Sequence, residues 1–130
     1  MTLIRNSDQV KQAIDFSGVE NGSIHPSDID AALEFNNEAL ILIEIKREGY
    51  EIPTGQRLLL ERICNSWHTE KSIVLFIQHS FTDDKKDIPL SKCIVKKTFY
   101  NGKWFKVQPE LLTSVLNKLG KSWDIKKLSV

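Results

Sequence analysis

Five consecutive apolar residues, Ile73, Val74, Leu75, Phe76 and Ile77, fill the centre of the segment Ser72–His79. A strand with one face in water alternates polar and apolar residues, because successive side chains point to opposite sides. An unbroken apolar run of strand length needs cover on both faces, and helices above and below a sheet supply it. The run Ala39–Ile43 makes the same demand a second time. Between the two runs, Thr54–Trp67 has helical spacing, with Gln56, Leu60, Ile63 and Trp67 on one face and Arg57 and Glu61 toward solvent. These features predict an α/β fold.

The remaining elements follow from breakers and periodicity. Ser7 caps a short helix, Asp8–Phe16, whose apolar face is Val10, Ala13 and Ile14 and which Gly18 ends. Residues 29–35 and 38–46 read as strands joined by a two-residue turn, Asn36-Asn37, since Asn tolerates positive φ. Lys92–Tyr100 and Lys103–Val107 flank Asn101-Gly102, a strong hairpin signal. Pro109 opens a last helix and Gly120 closes it, with Leu111, Leu112, Val115, Leu116 and Leu119 as its stripe. The expected order is α–β–β–α–β–β–β–α in one domain over residues 1–130, a sandwich with a mixed sheet. At 130 residues the chain suits one core, and it has neither an internal repeat nor a long linker.

No signal-peptide pattern opens the sequence, and its apolar runs are far shorter than the ~20 residues that cross a bilayer. A cytoplasmic protein without membrane contact is expected. Cys64 and Cys93 fit reduced thiols there, and with no CxxC or His/Cys cluster nothing points to zinc. Charge is unevenly spread. Residues 1–90 hold nine Lys and Arg against fifteen Asp and Glu; residues 91–130 hold nine Lys against two acids. An acidic first part and a basic last part can meet as a metal site beside a polyanion surface; a solvated lysine-rich tail is the plainer alternative.

Chemistry concentrates in the second strand. Strand phase puts Leu40, Leu42, Glu44 and Lys46 on one face, while Ile41, Ile43 and Ile45 make the other wholly apolar. A carboxylate at the mouth of an apolar strand costs several kcal/mol unless it is paired or binds a metal. If the first two strands form a hairpin, Asp30 reaches the Glu44–Lys46 end. Two carboxylates and an ammonium then converge, a set suited to Mg²⁺ or Mn²⁺ and to phosphodiester hydrolysis. The competing reading of Glu44 and Lys46 is a salt-bridged strand end at the solvent boundary.

Asp30, fourteen residues before Glu44, followed by Ile45-Lys46, resembles the signature of the PD-(D/E)XK nuclease superfamily. Gln56, ten residues after Lys46 in Ile52-Pro53-Thr54-Gly55-Gln56, resembles a motif of the VRR-Nuc-like branch. Small phage-type and Holliday-junction-resolvase-like nucleases are similar, and the resemblance covers about residues 25–78. It implies a restriction-endonuclease-like α-β-β-α-β core with an added hairpin and helix. It implies that Asp30, Glu44 and the carbonyl of Ile45 hold Mg²⁺ or Mn²⁺. Lys46 would serve the water or the scissile phosphate, and Gln56 would orient a ligand or contact substrate. The implied function is a DNA endonuclease for branched or structured DNA, often homodimeric.

Two departures stand out. Many members carry a Glu on the first helix, whereas Asp8–Phe16 offers Asp8, Gln9, Gln12 and Asp15, with Glu20 beyond. Asp28, in Pro26-Ser27-Asp28, rivals Asp30 for the first acidic position. Lys96, Lys97, Lys103 and Lys106 are the expected DNA contacts, interleaved with Phe99, Tyr100, Trp104 and Phe105, which are expected in the core. His25, His68 and His79 share no ligand spacing. A nuclease-like fold used only to bind nucleic acid or inhibit a protein is the alternative function; a small adaptor domain is a third.

Overall fold

Asn36 and Asn37 both take left-handed backbone conformations, φ 51° and 59°, and with Glu38, whose N–H donates to the carbonyl of Phe35 at 2.8 Å, they make a three-residue turn, one longer than expected, between β1 (Ala31–Phe35) and β2 (Ala39–Arg47). The computed structural model describes residues 15, 17–20, 22, 26–82 and 87–130. Within them, α1 (Thr54–Ser66) leads to β3 (Ser72–His79), a hairpin of β4 (Ile94–Tyr100) and β5 (Lys103–Leu111) follows, and α2 (Leu112–Ser122) comes last. The strands form one mixed sheet in the order β1-β2-β3-β4-β5. β2 and β3 run parallel, with Leu40 opposite Ser72 and Lys46 opposite Gln78; the other neighbours are antiparallel. The fold is therefore α/β, as the apolar runs demand.

Each face of the sheet has its own core. Leu40, Leu42, Val74 and Phe99 pack with Leu60 and Cys64 of α1. On the other side Ile41, Ile43, Ile73, Leu75, Ile77 and Val95 pack with Leu112 and Leu116 of α2, joined by Trp123 and Leu128 from the tail. β2 and β3 thus lie between two helices, and burial of each of their large apolar side chains contributes roughly 1.5–3 kcal/mol. No helix among the described residues is long and apolar enough to cross a membrane.

The structure corrects several expectations. β5 runs through Pro109, which does not open the last helix; α2 starts at Leu112, whose N–H donates to the carbonyl of Cys93 at 3.0 Å. Proline lacks the N–H of a central strand but is tolerated on an edge strand, and β5 is an edge. Pairing of β4 with β5 also slips between Val95 and Lys97, beside that proline. Gly120 lies inside α2, buried, instead of ending it. A Cβ there would run into the carbonyl oxygen of Leu128, with Leu128 Cβ at 3.1 Å, so the glycine admits the returning tail. Glu61 turns toward β5 rather than toward solvent: it accepts from Trp104 Nε1 at 2.9 Å and holds Arg57, whose side chain stays 40% exposed, at 2.6 Å. The helix expected over Asp8–Phe16 lies outside the described residues apart from Asp15, as do residues 83–86 of the polar loop.

Gly120→Ala is expected to cost about 1–3 kcal/mol, because the added methyl meets backbone. Gly55→Ala on the open side of α1 meets nothing within 4 Å and should be neutral or stabilising by up to about 1 kcal/mol. Urea midpoints of the two variants, measured side by side, check the contrast.

Candidate functional site

β2 passes under α1 with Leu40 and Leu42, and the same face continues into Glu44 and Lys46. Glu44 has no solvent exposure at all. Among the described residues neither of its carboxylate oxygens has a hydrogen-bond partner. Lys46 Nζ stands 3.3 Å from Oε1, close enough for an ion pair but out of line for a hydrogen bond. One misaligned ammonium is thin compensation for a desolvated carboxylate. Burial, and next the charge of Asp30, push the Glu44 carboxyl up to about 7, against the pull of Lys46.

Asp30 comes to this place through the hairpin. The β1–β2 ladder ends at Ala31 opposite Ile43, which leaves Asp30 level with Glu44. Asp30 Oδ2 accepts the N–H of Ile45 at 2.7 Å, so its side chain continues the ladder where the backbone of β1 stops. This also explains why β1 begins at Ala31 and not at Ile29. Asp30 and not Asp28 is the acid whose charge bears on Glu44. Asp28 is exposed, and its backbone carbonyl accepts a hydrogen bond from Gln56 Nε2 at 3.3 Å. Gln56 therefore fastens the first turn of α1 to the segment that carries Asp30, across 28 positions of sequence.

The sheet register extends the site sideways. Glu44 lies opposite Phe76, Phe76 opposite Lys97, and Lys97 opposite Lys106. With Asp30 in front, one row across the sheet reads acid, acid, aromatic, cation, cation. Two strand spacings put Lys97 about 10 Å from Glu44 at the backbone, and its Nζ lies 5.9 Å from the Phe76 ring centre.

Of the four expected DNA-binding lysines, Lys97 and Lys106 share this row. Lys96 sits where the pairing of β4 slips, and Lys103 pairs with Tyr100 at the far end of the hairpin. The aromatics divide: Phe99 and Trp104 pack in the α1-side core, while Tyr100 and Phe105 are exposed. His79 Nδ1 accepts the N–H of Phe81, His68 lies against Trp67, and His25 is outside the described residues.

Sequence reasoning missed the residues that hold the connection between β2 and α1. Gln78 Nε2 donates to the carbonyl of Tyr50 at 3.0 Å, and Lys97 reaches Glu51 at 3.2 Å. The signal for Gln78 was its place just past the apolar run of β3, but only the parallel register sets it beside Lys46.

No known protein family, curated protein or solved structure matches this chain. Among the described residues no three His, Cys, Asp or Glu side chains converge as a metal-binding group. Asp30 and Glu44 are two acids, and the orphaned oxygens of Glu44 are the feature that fits a bound cation: hard divalent ions take carboxylate and carbonyl oxygens, and Mg²⁺ keeps several waters besides.

The raised Glu44 carboxyl has a defined consequence for stability. Below about pH 4.5 the group is protonated in both folded and unfolded chains, and its contribution is fully present. As pH rises, the unfolded chain releases the proton first, so stability falls until the folded group ionises near pH 7. Melting temperature should therefore drop between pH 5 and 8 in the wild type. Glu44→Gln should remove this component and melt higher than wild type at pH 8; equal slopes for the two proteins in thermal scans would contradict it.

Proposed function

We propose that the chain is a metal-dependent DNA endonuclease with a restriction-endonuclease-like core, acting on branched or structured DNA. The observation that carries this reading is the Glu44 carboxylate, fully buried, without a hydrogen-bond partner among the described residues, facing Asp30 and flanked by Lys46. A carboxylate so placed is costly in a purely structural role and suits a working one.

Glu44, Asp30 and the carbonyl of Ile45 would hold Mg²⁺ or Mn²⁺. When bound there, such an ion supplies a Lewis acid for the phosphate and lowers the pKa of a coordinated water. Lys46, about one-quarter exposed, presents its ammonium to a phosphate oxygen and offsets charge that builds during hydrolysis. Gln56 and the Ile45 N–H fix the segment and side chain of Asp30, so the two acids stay in register. Lys97 and Lys106, one and two strands beyond Phe76, extend a cationic track for the DNA backbone away from the acids. A homodimer, placing one such site on each strand, and a cytoplasmic location belong to the same proposal.

Labelled flap, junction, single-stranded and duplex DNAs, incubated with Mg²⁺ or Mn²⁺, test the reading. Wild type should cut at least one of them, and chelation should stop it. Glu44→Ala, Asp30→Ala and Lys46→Ala should each lower the rate by about 10²-fold or more, while Lys106→Ala should mainly weaken binding and its salt dependence. A wild type that shifts DNA on a gel but cuts none would replace this function with the binding-only alternative. One that does neither would leave an adaptor domain.

A further inference from the structure

The connection from Lys46 to Gln56 carries an exposed aromatic on a firmly held backbone. Tyr50 N–H donates to the carbonyl of Arg47 at 3.0 Å, closing a turn in which Gly49 has φ +93°. Glu48 N–H donates to the carbonyl of His79 at 2.8 Å, Gln78 holds the carbonyl of Tyr50, and Glu51 is paired with Lys97. The turn is thus tied to both β3 and β4. Yet Tyr50 itself is 62% exposed. It borders a cleft of about 400 Å³ with Ile45, Lys46, Arg47, Glu51 and Pro53.

Single exposed aromatics are common on protein surfaces. Tyr50 differs in what surrounds it. Its main chain is fixed at both N–H and carbonyl, so little backbone freedom is lost when the ring meets a partner. Its cleft is shared with Lys46, the ammonium beside Glu44, and with Arg47, a second cation. An exposed ring on a fixed main chain, in a cleft that Lys46 and Arg47 also line and whose acid, Glu51, is paired with Lys97, is a combination that engages single-stranded nucleic acid, in which phosphates meet the charges and a base stacks on the ring. Bases in a continuous duplex have both faces covered by their neighbours and offer nothing to such a ring.

We infer that Tyr50 is a base-stacking residue that takes an unpaired nucleotide beside the phosphate held at Lys46, so that the site selects DNA with a single-stranded segment. The inference rests on the proposed nuclease reading for the identity of the polymer, but it is separable from cleavage. Tyr50 acts here through its ring; Gln78 and Gly49 act by positioning it.

The test uses the full chain at low salt in EDTA, where nothing is cut. The probe is a DNA duplex with 2-aminopurine in a short single-stranded gap, compared with the same duplex fully paired. Wild type should quench the gapped probe and bind it more tightly than the paired one. Tyr50→Ala should lose the quenching and bind gapped DNA about ten-fold more weakly, with paired-duplex affinity little changed. Tyr50→Phe should restore both properties, and Phe105→Ala, on the opposite side of the sheet, should behave as wild type. Quenching by Tyr50→Ala equal to wild type, equal affinity for gapped and paired probes, or no DNA binding at all would overturn the inference. Cleavage assays in Mg²⁺ then separate the two ideas. Tyr50-dependent quenching without cutting would sink the nuclease reading and keep the stacking one. Cutting with no effect of Tyr50→Ala on gapped substrate would do the reverse.

Discussion

The Glu44 carboxylate is buried at the point where β2 stops being core, and the surrounding structure is arranged around that cost. Upstream on the same face lie Leu40 and Leu42 under α1; one residue pair further, Lys46 emerges into solvent. Nothing in the described residues satisfies the Glu44 oxygens, and the opposing acid makes ionisation harder still. Such a group persists only where the framework is stable enough to hold it. Here that framework is the pair of parallel strands with a helix on either side, together with the hairpin that sets Asp30 level with Glu44.

Much of this was legible in the sequence, for physical reasons that can be named. The run Ile73–Ile77 could be satisfied only by cover on both faces, and β3 occupies Ser72–His79 as expected. The asparagine pair marks the β1–β2 turn, but Glu38 joins it, and that third residue sets Asp30 level with Glu44 instead of Ile43. Strand phase alone placed Glu44 and Lys46 together. The unread parts depended on contacts distant in sequence. Pro109 has the local look of a helix start, but its place on an edge strand removes the penalty of staying extended. Gly120 has the look of a helix stop, but the returning tail at Leu128 needs the space its missing side chain leaves. Gln56 was expected near the site through its spacing, whereas its actual partner, the Asp28 carbonyl, follows from how α1 meets the segment before β1.

The charge imbalance along the chain also acquires a spatial meaning. Two acids of the first part, Asp30 and Glu44, and two lysines of the last part, Lys97 and Lys106, are brought into one row by the register of the sheet, with Phe76 between them. Lys97 is restrained by Glu51, and Trp104 reaches across to Glu61, so the basic hairpin is attached to the helix side of the sheet by polar contacts as well as by packing. Lys96 and Lys103, equally basic in the sequence, fall outside that row because of a pairing slip and of distance along the strand.

The turn at Asn36 and Asn37 has a consequence that reaches beyond β1. Side chains alternate strictly along a strand, so pairing slipped by one residue would send a whole set of side chains to the opposite face. In this hairpin the same count that seats Leu33 and Phe35 of β1 on the α2-side core also decides whether Asp30 stands level with Glu44. Hydrophobic burial therefore acts as a proofreader for the chemistry: a misaligned hairpin must expose its apolar side before it can separate the two acids.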